Sequence, residues 1–203
     1  MNYERWSRAC RALGIPSLER HYREVRRAWR SLGRHYHSLA HLDACLRELD
    51  DTRELAQRPG EVEMALWFHD AVYRSWRSDN ETRSADLAGK LLRAAPAECL
   101  ARIRTMIMAT LHRGEPPGGD AALVVDVDLS ILGQASDIYA AFEKAVRREY
   151  WWVPRARYVS ARSEVLQSFL RRPAIYHHEI LREKYEQAAR RNLAQAIENL
   201  KAG

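Results

Sequence analysis

The sequence predicts an all-α fold, a bundle of roughly nine to ten helices, on three observations. Apolar residues recur at helical spacing along almost the whole chain, and no segment sustains the period-two alternation of a half-buried strand. Glycine (9) and proline (7) are scarce in 203 residues, so turns are few and elements long. An apolar fraction of 46% is enough for a real core, and the 30% of charged residues, rich in arginine, suit solvated helix faces.

Residues 2–14 read as a short first helix ended by Gly14 and Pro16. A second, 17–32, opens on the capping candidate Ser17, carries Glu19 in its first turn and closes at Gly33. A third runs from about Ser38 to Asp50. Pro59–Gly60 leads into a fourth, from about Glu61 to Val72, and Asp79 or Asn80 caps a fifth extending to about Arg93. Residues 97–112 make a sixth. GEPPGGD, 114–120, is the strongest loop signal, and helices follow at 121–133, 135–150, 155–172 and 176–200. With no repeat or linker in evidence, 1–203 reads as a single domain, its chemistry in about 34–135 and further helices in 136–203. Those amphipathic C-terminal helices either cover the core or form a homodimer interface.

Composition narrows the function classes. No run reaches the roughly 18 apolar residues that cross a bilayer, and MNYERWSRAC lacks the apolar segment of a secretory signal. Cys10, Cys45 and Cys99 are far apart, odd in number and form no CxxC pair, so a reducing cytoplasm is expected rather than a disulfide framework. The formal charge of +6 is spread along the chain, so a nucleic-acid partner is not expected.

Three segments carry the chemistry. RHYHSLAHL supplies His35, His37 and His41. His37 and His41, four apart, share one helix face, and two imidazoles at that spacing can chelate one ion or two neighbouring ones. In ALWFHDAVY, His69 falls on the arc of Val62, Ala65, Leu66 and Val72, with Asp70 at its edge. A carboxylate there needs a partner. A divalent cation, a His–Asp hydrogen bond or an arginine would each serve. In ALVVDVDLSILG the helical wheel puts Asp128 among Val125, Val127, Leu129, Ile131 and Leu132. Asp126 points the other way, toward solvent or a helix cap.

Ordered as H…HD…D on helices, these pieces resemble the HD superfamily of metal-dependent phosphohydrolases. RHYHSLAHL, ALWFHDAVY, SDNETRSA, MATLHR, DVDLSILG and REYWWV look like one bacterial family of predicted HD phosphohydrolases, over about residues 34–153. The resemblance implies His37 as first ligand, His69 and Asp70 as the central pair, and Asp128 as last ligand, with Asp126 as the alternative. His41 would be a substitute or second-ion ligand. The cation would be Mn, Mg, Fe, Co or Zn, a choice that a mixed His/Asp set does not make. The substrate class would be a small phosphoester or phosphoanhydride, such as a nucleotide, attacked by metal-activated water.

Asp70 could ligate and also orient that water. No acid follows Asp70 directly, because Ala71, Val72 and Tyr73 stand there, so a general base is sought at Asp79 or Glu81. Both equally suit a helix start. His112, Arg74 and Arg113, with Arg77 and Arg83 nearby, are candidates for binding phosphate, or are plain surface groups. A rival reading is a helical module that binds metal or nucleotide without catalysis.

Overall fold

The computed structural model describes residues 2–114 and 116–202, and among them there are ten α-helices and no strand. They fall into two compact units, the first reaching Asp128 and the second starting at Leu129. Among the described residues no helix is long and apolar enough to cross a membrane.

The first unit holds α1 (Tyr3–Ala12), α2 (Glu19–Trp29), α3 (Leu39–Asp51), α4 (Pro59–Phe68), α5 (Asn80–Leu91), α6 (Ala97–Ala109) and α7 (Gly119–Asp128), with a 3₁₀ turn at Arg53–Leu55. Pro59 stands in the first turn of α4, where its missing N–H costs nothing. From Gly60 to Phe68 every residue of α4 is buried, because α1, α3, α5, α6 and α7 pack around it. Its two acids are therefore neutralised in place. Glu61 takes a two-pronged bond from Arg102 (2.7 and 2.6 Å), and Glu63 is held by Arg5 (2.9 Å) and Arg53 (3.1 Å). The crossing with α1 is close: a Cβ on Gly60 would lie 2.6 Å from that of Ala12. Trp6 of α1 meets Trp67 of α4 edge to face at 5.4 Å, extending an aromatic cluster with Tyr22 and Phe68.

α7 is the second interior helix, buried from Ala121 to Val127. Two sequence expectations fail here. The expected helix over 121–133 stops at Asp128 and tightens into 3₁₀ geometry at Leu129–Gly133. Asp126 is fully buried rather than facing solvent. A helix enclosed on all sides has no polar face from which a wheel can take its phase. Ser17 is also not a cap: Leu18 holds that position, and the Ser17 hydroxyl donates to Tyr3 Oη at 3.2 Å.

The second unit holds the 3₁₀ segment, α8 (Ser136–Glu149), α9 (Arg155–Leu170) and α10 (Glu179–Ala202). α10 clamps the 3₁₀ segment: the Asn192 amide donates to the carbonyls of Leu132 and Gln134, both at 2.8 Å. The Tyr176 hydroxyl donates to Leu129 O at 2.9 Å.

Candidate metal centre

Both interior helices end at one place. α4 stops at Phe68, earlier than the expected Val72, so His69 caps the helix and Asp70 lies in the turn beyond it. The stop is chemically complete. The last four carbonyls of a helix have no intrahelical donor of the usual kind beyond its end, yet here each is taken. Ala65 O accepts from the His69 N–H (2.8 Å) and Leu66 O from His69 Nδ1 (2.8 Å). Trp67 O accepts from Trp29 Nε1 (2.9 Å) and Phe68 O from the Ala71 N–H (2.9 Å).

Arg34 then fixes the turn. Its guanidinium donates to the carbonyls of His37 (2.8 Å), Asp70 (2.7 Å) and Ala71 (2.9 Å), and lies over the rings of Trp29 and Tyr73. One side chain thus ties the segment before α3 to the turn after α4.

α3 starts where expected, capped by Ser38, whose hydroxyl accepts from Ala40 N at 3.4 Å. That puts His41 in the first turn, buried, with Nε2 3.1 Å from His69 Nε2 and 3.0 Å from Asp128 Oδ1. His69 Nε2 is 3.5 Å from the same Asp128 oxygen and 3.3 Å from Asp70 Oδ2. Asp70 Oδ2 is 3.8 Å from His41 Nε2 and 4.0 Å from His37 Nε2. His37 sits before the helix, half-buried and stacked on Tyr73 with centroids 3.9 Å apart. Cys45, one turn after His41, completes a group of four whose ligand atoms all lie within 4.8 Å of one another: His41, Cys45, His69 and Asp128.

These spacings fit a cation. Bonds of about 2.1 Å put neighbouring ligand atoms about 3.0 Å apart at right angles and about 3.4 Å apart at the tetrahedral angle. A single proton serves them less well, since both imidazole Nε2 atoms compete for one oxygen of Asp128 and for each other. The buried group could therefore hold a metal ion.

The electrostatics agree. Burial would lower the His69 imidazole, but the charges of Asp70 and Asp128 outweigh it and hold it well above its usual range. Burial lowers His41 by more than Asp128 raises it. Burial would raise both carboxyls, yet the facing His69 charge, with His37 for Asp70 and hydrogen bonds from His112 and His41 for Asp128, holds both below the ordinary carboxylate range. The three groups thus shift one another, His69 toward its protonated form and the two carboxyls toward their ionised forms.

None of the family models, curated proteins or solved structures compared with this chain matches it.

Around the centre, the other expected site residues divide. His112 is brought in. α6 ends at Ala109, not 112, and the N–H groups of Thr110, Leu111 and His112 bond three residues back. His112 itself adopts a left-handed φ of 54°, which few residues but histidine, asparagine and aspartate tolerate. This reversal carries its Nε2 to 3.1 Å from Asp128 Oδ2, on the far side of the carboxylate from His41. Glu81, in the first turn of α5, is half-buried. Burial pushes its carboxyl up, the Asp70 charge adds to that, and His112 and Arg113 oppose it.

Asp79 is not brought in. Its carboxylate is taken by Arg77 (2.7 and 2.8 Å) and Arg83 (2.8 Å) at the surface, without capping α5. Arg74 is exposed and bonds Ser31 Oγ (3.2 Å) and Tyr73 O (3.1 Å). Arg113 is exposed and borders a shallow groove with Arg104, Met108 and Pro116. Sequence reasoning missed Arg34 and Cys45. The spacing of four from His41 was available for Cys45, whereas nothing in RHYH marks its arginine as a carbonyl clamp.

Proposed function

We propose that this chain is an HD-type metal-dependent phosphohydrolase that cleaves a small phosphoester or phosphoanhydride, a nucleotide being the leading class. The observation that carries this reading is the convergence of His41 Nε2, His69 Nε2, Asp128 Oδ1 and Asp70 Oδ2, with neighbouring atoms 3.0–3.8 Å apart, beside a half-buried acid. The order H…HD…D, which resembles the HD superfamily, supports it.

In this reading His41, His69, Asp70 and Asp128 hold a divalent cation, with His37 at the edge of the set. Bound there, the cation would polarise a phosphoryl oxygen and lower the pKa of a coordinated water. Glu81 takes the proton of the attacking water, a role suited by a half-buried carboxyl whose proton affinity burial raises. His112 holds the outer oxygen of Asp128 and faces incoming phosphate. Arg113 and Arg74, both exposed, supply positive charge for the leaving portion of the substrate. A cytoplasmic site of action suits three buried thiols.

Metal analysis of the purified protein, followed by a screen of nucleotides and generic phosphoesters with Mn²⁺, Co²⁺, Zn²⁺ and Mg²⁺, tests this. Stoichiometric metal and turnover of at least one phosphate class are expected. Protein that takes up no metal refutes the centre. Stoichiometric metal without turnover of any phosphate refutes the hydrolase and leaves the non-catalytic binding module.

A further inference from the structure

An all-oxygen-and-nitrogen ligand set does not choose among divalent cations, but this centre includes a sulfur. Cys45 lies on α3 one turn after His41, and a spacing of four puts both side chains on one helix face. Its side chain is buried, 1% exposed, and its Sγ is 3.6 Å from His41 Nδ1 and 3.7 Å from Nε2. Near-equal distances to the two ring nitrogens place Sγ beside the Cε1 edge of His41, so ligation needs the Cys45 side chain to turn toward Nε2, where sulfur and nitrogen on one tetrahedral ion stand about 3.6 Å apart. The sulfur is also within 4.8 Å of the ligand atoms of His69 and Asp128. Cys10 and Cys99 are buried too, but neither belongs to such a group among the described residues.

We propose that Cys45 is a protein ligand of the metal, and that its sulfur tunes the centre toward thiophilic cations, Zn²⁺, Co²⁺ or Fe²⁺, over Mg²⁺ and Mn²⁺. This rests on the metal-centre reading above and adds to it a ligand and a metal class. A thiolate is soft, suits Zn²⁺ and its neighbours, and is a poor partner for the hard, oxygen-seeking Mg²⁺. On binding, the S–H proton leaves to solvent and the sulfur lone pair forms the new bond, so no oxidant or reductant is involved.

Cobalt substitution separates the possibilities. Co²⁺ added to the wild-type protein is expected to give visible ligand-field bands together with an intense near-ultraviolet sulfur-to-cobalt charge-transfer band. Cys45→Ser should keep the first and lose the second, while Cys10→Ser and Cys99→Ser keep both. Zn²⁺ affinity should fall at least about 10–100-fold in Cys45→Ser, with Mn²⁺ affinity little changed. X-ray absorption of the Zn²⁺-loaded wild type provides a check that needs no variant, with a sulfur scatterer expected at about 2.3 Å. Ligand-field bands without charge transfer, or a zinc shell of nitrogen and oxygen alone, would overturn the Cys45 assignment and leave the metal centre standing. Failure of the wild type to bind Co²⁺ or Zn²⁺ at all would overturn both.

Discussion

His69 donates its Nδ1 proton to the carbonyl oxygen of Leu66 across 2.8 Å. A carbonyl only accepts, so this bond fixes which ring nitrogen carries a proton and turns Nε2 into the cluster. The same bond consumes a leftover carbonyl of α4. Ending the helix and orienting the imidazole are one event, and the imidazole's aim is as stable as the interior helix behind it.

His41 and His37 should differ in importance. His41 Nε2 is 3.0 Å from Asp128 and 3.1 Å from His69, whereas His37 Nε2 stands 4.0 Å from Asp70 Oδ2. His41→Ala is expected to reduce metal affinity by two orders of magnitude or more, and His37→Ala by about tenfold. Equilibrium dialysis against Zn²⁺ or Mn²⁺ measures both. Equal losses, or a larger one for His37, would reverse the ranking.

The order of the motifs made the centre legible, but its weighting was not. His69 and Asp128 stand in the buried group with His41 and Cys45, while Asp70 lies 3.3 Å from His69 and His37 4.0 Å from Asp70. The preference for His37 over His41 comes from the resemblance, a His-Ser-Leu opening a helix, whereas α3 begins at Leu39, so His37 precedes the helix and His41 stands on it. Asp126 was misjudged because α7 is enclosed on every side, and a buried helix leaves no amphipathic phase to read. Helix number and order were legible because the outer helices are amphipathic. Their ends were less so, since α4 and α6 stop where tertiary donors and a left-handed residue intervene.

Metal uptake should strengthen with pH. The charges of Asp70 and Asp128 hold His69 protonated above its ordinary 6.5, and that proton must leave before Nε2 can ligate. Both carboxylates are already ionised, because their values are lowered, and contribute no opposing slope. Calorimetry in buffers of different ionisation enthalpy, between about pH 6 and 8, should show proton release on binding and rising affinity. A pH-independent affinity in that window would contradict the imidazolium. Without metal the stability signs are the usual ones. The raised His69 contributes fully below its ordinary value and is lost as pH rises through the raised one. The lowered carboxylates contribute above their ordinary range and are lost as pH falls.

Arg34→Lys should be far from conservative. A lysine keeps the charge, but it cannot span the carbonyls of His37, Asp70 and Ala71 or lie flat against Trp29 and Tyr73. Losing part of this set should destabilise the fold by about 2–3 kcal/mol, given about 1.5–3 kcal/mol for a buried bond to a charged group and partial replacement by the ammonium. Urea unfolding measures the stability, and metal affinity should fall in parallel because the turn holding Asp70 loosens. Unchanged stability and affinity would mean that the α4 carbonyl bonds alone hold the turn.

Gly60→Ala tests the crossing beneath the centre. In an open helix this change would stabilise by up to about 1 kcal/mol. Here the new Cβ would meet Ala12 Cβ at 2.6 Å, and overpacking of this kind costs about 1–3 kcal/mol. Net destabilisation is expected, relieved in part by adding Ala12→Gly. A thermal midpoint that rises in the single variant would show that α1 yields without cost.

Glu81 and Asp79, two residues apart, separate proton transfer from surface pairing. Asp79 is held between Arg77 and Arg83, so Asp79→Asn should leave turnover within about twofold, in line with the small worth of an exposed ion pair. Glu81 feels the charges of Asp70 and His112 and has its carboxyl raised by burial, and Glu81→Gln keeps its shape while removing its basicity. Turnover of whichever phosphate the screen identifies should fall about 10²–10⁴-fold, the usual contribution of a general base. Bound metal should stay at the wild-type level, because Glu81 does not belong to the His41, Cys45, His69 and Asp128 group. Loss of metal along with activity would recast Glu81 as a ligand. Retained activity would return the base to Asp70, whose free oxygen then has to do both jobs.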